Sequence, residues 1–214
     1  MLNNALRIII KWWESKDRVT IYPWRSDSNV YRSIVTEVLL TRTRRDAVAE
    51  IYKAFFSAFP DPKSLSSASY DEILKVIKPL GLRKRVHYLK VLGKILSDSP
   101  PKTPADLGRL PGIGEYARGI LSLKLFGEGG IPADRNIARV LWRFVRGEDP
   151  QQEKPEKDSW IKSVLKSLEG SLDPQERLKI TYALMDLGYE ICKPRRPLCY
   201  ECPLKKKCRY VRRG

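Results

Sequence analysis

The sequence predicts an all-α protein. Apolar residues recur at helical spacing through most of its 214 residues, no run alternates convincingly at period two, and Pro, Gly or capping residues separate the apolar segments. Residues 30–40 and 47–59 carry the helical spacing and are joined by the polar stretch Thr41-Arg42-Thr43-Arg44-Arg45-Asp46. Asp71 opens a helix to Ile77 that Pro79 and Gly81 stop. Val86, Leu89, Leu92 and Leu96 mark one face of the next, which ends in the polar stretch 97–101. Thr103-Pro104 reads as an N-cap with proline at the first helical position, opening a short helix to Leu110. After a tight turn at 111–114 come helices over 115–126, 136–145, 158–168 and 175–190, with 147–157 a polar surface linker. The length suits two helical lobes with a cleft between them.

Charge narrows the function. The 41 Lys and Arg outweigh the 25 Asp and Glu, leaving +16, which predicts a polyanionic partner such as nucleic acid. The apolar runs at 6–13 and 34–40 fall far short of the roughly 20 residues that span a bilayer, and the first has no signal-peptide cleavage site. A reducing, cytoplasmic setting at a prokaryotic nucleoid is therefore expected, with no membrane partner. Only 2 Met, with abundant Lys, Arg and Glu, give the composition a thermophile character.

Pro111-Gly112-Ile113-Gly114 between two helices forms a helix-hairpin-helix. Side chains at Gly112 and Gly114 would keep a phosphate from the turn's amides, and the turn itself calls for positive φ. With the start of the following helix, those amides make a sequence-independent anion site.

All 4 cysteines, Cys192, Cys199, Cys202 and Cys208, fall near the end of the chain with the spacing Cys-x6-Cys-x2-Cys-x5-Cys. In a reducing compartment this reads as a metal site, either zinc or a [4Fe–4S] cluster. Colour separates the two, since an iron–sulfur protein is brown and a zinc protein colourless. The flanking Lys193, Arg195, Arg196, Lys205, Lys206, Lys207 and Arg209 extend a basic face.

Leu110-Pro111-Gly112-Ile113-Gly114, an acidic residue about twenty positions on, and the C-terminal cysteines together resemble the endonuclease III superfamily of helix-hairpin-helix DNA glycosylases. Asp134-Arg135-Asn136-Ile137-Ala138-Arg139-Val140 is similar to the family's Asp-x-Asn-x-x-Arg-Val stretch and puts Asp134 at the catalytic aspartate. Met185-Asp186-Leu187-Gly188 matches the approach to the cluster. The resemblance implies a barrel of six helices over 28–132, and a second helical domain from 1–27 and 133–214 holding a [4Fe–4S] cluster. Tyr22-Pro23-Trp24-Arg25 and Val35-Thr36-Glu37-Val38-Leu39-Leu40 resemble the mismatch-glycosylase branch. Tyr116 stands where bifunctional members carry a lysine, so no Schiff base to the sugar forms from that position and lyase activity is expected to be weak or absent.

Leu39-Leu40-Thr41-Arg42-Thr43 is closer to the archaeal thymine enzymes, whereas Gly119-Ile120-Leu121-Ser122-Leu123 is similar to the adenine enzymes. The expectation is a monomeric, monofunctional glycosylase removing thymine or uracil opposite guanine from double-stranded DNA. An A/G-mismatch adenine glycosylase is the rival of the same class, and a non-catalytic iron–sulfur or zinc DNA binder the rival of another. The candidate catalytic residues are Glu37, Asp134 and Tyr116. Asp134 would stabilise positive charge on the sugar, and Glu37 would activate water or pass a proton to the base. Extruding a nucleotide leaves a gap in the stack, for which Leu82 is the candidate wedge, with Arg42 and Thr43 on a second DNA-facing loop. The bland readings are an N-cap for Asp134 and a solvated helix face for Glu37.

Overall fold

The computed structural model describes residues 2–81, 83–150, 154–170 and 172–213, and no strand occurs among them. The helices in chain order are α1 (Leu2–Glu14), α2 (Arg18–Ile21), α3 (Val30–Leu40), α4 (Arg45–Ala58), α5 (Pro62–Ser67), α6 (Tyr70–Ile77), α7 (Arg85–Asp98), α8 (Glu115–Leu121), α9 (Arg135–Leu141), α10 (Ser159–Glu169), α11 (Pro174–Glu190) and α12 (Arg209–Arg213). Among the described residues, none of these is long and apolar enough to cross a membrane.

The chain divides into two compact units, 17–126 and 1–16 with 127–214. The first join falls at Asp17, earlier in the chain than expected. Tyr22 and Trp24 belong with the 17–126 unit: the Tyr22 hydroxyl donates to Asp46 at 2.7 Å, and Trp24 packs at a tilt on Tyr52. The core of this unit is built from Ile34, Val35 and Leu39 of α3, Val48 and Phe55 of α4, Leu65, Ile73, Leu89, Leu92 and Ile120. In the other unit, the apolar run at 6–13 supplies a face of α1. Ala5, Leu6 and Ile9 are buried in one core with Ile137, Val140 and Leu141 of α9 and Ile180, Ala183, Leu184 and Leu187 of α11.

Caps place the helix starts close to the expected points. Thr103 is the N-cap of the 104–109 segment, with Pro104 following and the Asp106 carboxylate accepting from the Thr103 N–H at 2.9 Å. That segment is a 3-10 helix. Ser69, rather than a residue just before Asp71, caps α6 and pairs with Glu72 in a capping box.

The expected helices over 115–126 and 136–145 each change character part-way. Residues 122–126 and 142–146 are π-helical. Both segments carry a cationic side chain bonded to distant backbone: Lys124 donates to the Trp24 carbonyl, and Arg143 to the carbonyls of Lys193 and Pro194. The linker expected over 147–157 is pinned at Asp149, whose carboxylate accepts from Arg143 Nε at 2.6 Å. Residues 151–153 lie outside the described residues.

Candidate active site and nucleic-acid interface

The hairpin turn is set by one glycine. Gly112 has φ +81°, a left-handed conformation, and a Cβ there would come within 3.3 Å of Val38 Cγ2. Gly114 differs from expectation. Its backbone is extended (φ −79°, ψ −179°), and a Cβ would meet nothing within 4 Å. Glycine at 114 therefore keeps the outer face of the turn bare instead of relieving strain. Ile113 turns inward, 9% exposed, and anchors the turn. No side chain caps α8, so its first amides are not taken up by a cap.

A concavity of about 360 Å³ brings Gly112 together with Val38, Thr41, Arg42, Lys84, Arg85 and Tyr88. Arg42 is exposed and has φ +54°, rare for a side-chain-bearing residue. Residues 40–43 make a turn closed by the Thr43 N–H on the Leu40 carbonyl at 3.0 Å, with Thr41 at φ −56° and ψ 117°, a type II geometry that requires positive φ at Arg42, and a buried side chain braces it from beneath. Arg85, only 3% exposed, donates to the Leu39 carbonyl at 2.9 Å, the Thr41 carbonyl at 2.6 Å and Thr43 Oγ1 at 2.7 Å. The basic turn 83–85 is thus not uniformly solvent-facing. Arg83 and Lys84 are exposed, whereas Arg85 is a buried strut for the 41–43 turn. Thr43 is committed to that strut. Leu82, the candidate wedge, lies outside the described residues.

Glu37 sits on α3, on the side of the 17–126 unit that receives Lys124. The residue is partly exposed. Burial pushes that carboxyl up to about 7, against the opposing pull of the Lys124 ammonium. A solvated helix face does not describe it. Tyr116 is partly buried in the first turn of α8.

Asp134, in the other unit, is indeed the N-cap of α9. Oδ1 accepts from the Ile137 N–H at 2.7 Å and Oδ2 from Asn136 Nδ2 at 3.0 Å. The capping and catalytic readings are compatible, since each carboxylate oxygen has a second lone pair for a ligand. Burial raises its pKa, and the bonds from Ile137 and Asn136 and the Arg139 charge pull the other way. Arg139 donates to Asn136 Oδ1 at 2.8 Å, to the Gly188 carbonyl at 2.8 Å and to the Cys192 carbonyl at 2.7 Å. A continuous chain of bonds therefore runs from the Asp134 carboxylate to the first cysteine. The Asp-x-Asn-x-x-Arg spacing carries it, because residues 136 and 139 are neighbours one helical turn apart.

Gly188 lets α11 approach this chain. A Cβ there would lie 2.6 Å from Asn136 Cβ and 2.9 Å from the Asn136 carbonyl oxygen. Gly188→Ala is expected to destabilise the fold by about 1–3 kcal/mol through forced backbone movement. A lower thermal unfolding midpoint, with slower turnover at temperatures where the variant stays folded, is the measurement.

The four cysteines are free thiols within one another's electrostatic reach. Cys202 is pushed up to about 12, first by burial and then by Cys192, Cys208 and Cys199. Arg143 Nη1 donates to Cys192 Sγ at 3.6 Å, and Cys208 Sγ donates to the Arg143 carbonyl at 3.7 Å. Among the described residues, no group of three or more His, Cys, Asp or Glu side chains is disposed to hold a metal ion. The basic residues 193, 195, 196, 205–207 and 209 around the loop are exposed.

The structural likeness to known proteins is extensive. A thermostable thymine-DNA glycosylase superposes with a TM-score of 0.80 at 27% identity, covering 99% of this chain and 97% of that one. A thymine-DNA glycosylase of Aeropyrum pernix is 32% identical over 212 residues, 95% of this chain and 92% of its own. The adenine DNA glycosylase of Homo sapiens is 31% identical over 216 residues, which span 94% of this chain but 38% of the human one. Residues 35–177 match the HhH-GPD superfamily base excision DNA repair protein family, a span that includes Glu37, the hairpin and Asp134 and ends before the cysteines. With that match lying over the residues whose geometry has just been described, the chain belongs to the HhH-GPD superfamily of base excision DNA repair proteins.

Proposed function

We propose that the protein is a monofunctional mismatch DNA glycosylase, hydrolysing the N-glycosidic bond of thymine or uracil opposite guanine in double-stranded DNA. The observation that carries the reading is Glu37, a carboxyl on α3 that burial raises to about 7 in a chain of this family. A group at that value delivers or accepts a proton at neutral pH. The likeness to the A. pernix thymine-DNA glycosylase over nearly the whole of both chains supports the choice of base. Uracil lacks only thymine's methyl group, so a pocket that admits thymine admits it too.

In the reaction, the C1′–N1 bond breaks, its electron pair leaves with the base, and a water oxygen adds to C1′. The Asp134 carboxylate stabilises the positive charge that develops on the sugar. Glu37 supplies a proton to the departing base, and its carboxylate takes up the proton shed by the water that adds to C1′. Arg42, presented on its strutted turn, and the bare face at Gly112 and Gly114 meet the DNA backbone, while the extruded base leaves a gap assigned to Leu82. Tyr116 offers no amine to the sugar, so the abasic product is released with its strand intact.

A [4Fe–4S] cluster at residues 192–208 is inferred from the cysteine spacing and the chemistry of the thiols, the side chains forming no preassembled ligand group among the described residues. Burial and the neighbouring cysteines keep the Cys192, Cys199 and Cys202 thiols from ionising, which a cationic iron core would relieve. Cys192, Cys199, Cys202 and Cys208 would hold it, and bound there it would close the C-terminal loop as a structural element. Arg143 orients the Cys192 sulfur.

Single-turnover base release on G·T, G·U, A·G and A opposite oxidised guanine, developed with and without alkali, tests the proposal. Cleavage of G·T and G·U strands only after alkali is the expected result. Adenine release would instead favour the second reading, which the likeness of the human adenine enzyme to this chain supports. No release from any duplex would reduce the protein to a DNA binder.

A further inference from the structure

Three separate segments of the chain converge on one side chain. Lys124 lies in the π-helical 122–126 segment that follows α8, and it is partly buried. Its Nζ donates to the carbonyl of Trp24 at 2.6 Å and to the hydroxyl of Ser33 at 2.9 Å. Trp24 belongs to the 3-10 turn Pro23–Arg25, and Ser33 is one turn before Glu37 on α3. The partners stand 100 and 91 residues from Lys124 in sequence. Two neutral oxygens fix the amine without neutralising it. The charge is left to be balanced by carboxylates.

Two carboxylates face it: Glu37 from α3 and Asp27 from the loop before α3. Asp27 is already engaged, accepting from the Tyr52 hydroxyl of α4 at 2.9 Å and pairing with Arg32 of α3 at 3.5 Å. The 3-10 turn contributes only the neutral Trp24 carbonyl, since Arg25 is stacked over the Tyr22 ring. Lys124 is in turn the one charge that acts on Glu37 among the described residues. Burial holds the amine below its ordinary range, at about 8, with both carboxylates pulling it back up.

We propose that Lys124 is a positioning residue for the glycosylase reaction: held by Trp24 and Ser33, its ammonium sets the protonation state of Glu37. This rests on the reading of Glu37 as the group that handles the proton. Burial drives the Glu37 carboxyl upward, toward the protonated form, and the Lys124 charge opposes it. The neighbouring cation keeps it close enough to neutral to give up its proton during the reaction and regain it afterwards. Two neutral hydrogen-bond acceptors beneath the amine hold it in register without quenching that effect. Substrate need not touch Lys124 for any of this.

The test is the pH dependence of single-turnover base release in Lys124→Gln and Lys124→Met, with Glu37→Gln in parallel. Glutamine keeps a donor for Trp24 and Ser33 but carries no charge. The limb due to Glu37 is expected to move to higher pH by about one unit in both Lys124 variants, a tenfold change in ionised fraction at fixed pH. A limb in Lys124→Gln that stays at its wild-type position, with or without a loss of rate in Lys124→Met, means the lysine only packs and overturns the inference. A wild-type limb surviving in Glu37→Gln overturns the reading of Glu37 itself, and this inference with it. Where a variant turns over too slowly to profile, the Glu37 carboxyl carbon resonance, identified by its absence from Glu37→Gln, reports the same titration. A midpoint displaced upward in Lys124→Gln then supports the inference, and an unmoved midpoint overturns it.

Discussion

Asp134→Asn is expected to lower single-turnover base release by about 10²–10³-fold, the loss associated with removing one preorganised electrostatic group from a transition state. The fold should survive. Asparagine is as good an N-cap as aspartate, and its carbonyl oxygen can still accept from the Ile137 N–H that Asp134 Oδ1 accepts at 2.7 Å. What disappears is the negative charge, enclosed by protein, that opposes the cation developing at C1′. DNA affinity, carried by the exposed basic residues and the hairpin, should change little. Gel-shift affinity alongside turnover separates the two, and turnover equal to wild type would remove Asp134 from the mechanism.

Glu37→Gln carries the other large effect. Loss of a positioned proton donor lowers base release by about 10²–10⁴-fold. The sign of the pH dependence follows from the direction of the shift. Burial raises the carboxyl to about 7, so the protonated form is populated below that pH and depleted above it. Wild-type turnover therefore declines as pH rises through about 7, whereas Glu37→Gln shows no such limb. A wild-type limb that rises across the same region would assign Glu37 to activating water instead. The profile, measured under single-turnover conditions on G·U duplex, distinguishes these outcomes.

Much of the site was legible in the sequence because its signals are local. The Pro-Gly-Ile-Gly turn, the capping of the 104–109 segment by Thr103 and the Asp-x-Asn-x-x-Arg run all act within a few residues, where backbone geometry and helical spacing decide the outcome. Arg85 shows the limit. It sits in a run of three basic residues that reads as a solvent-facing patch, yet it is a buried strut because acceptors 42 to 46 residues away fold over it. The left-handed Arg42 belongs to the turn that this strut braces and has no signature in its own residue type.

The sequence by itself determined that this chain is helical, basic and built around a hairpin, with two acidic residues in family motifs and four clustered cysteines. Tertiary structure decided the chemical character of those residues. Whether a carboxyl titrates near 4 or near 7 depends on the atoms that displace water around it, and those come from distant parts of the chain. Glu37 owes its value to burial and to Lys124, whose own position is set by Trp24 and Ser33. Solvation is a property of the packed neighbourhood, so no local pattern could encode it.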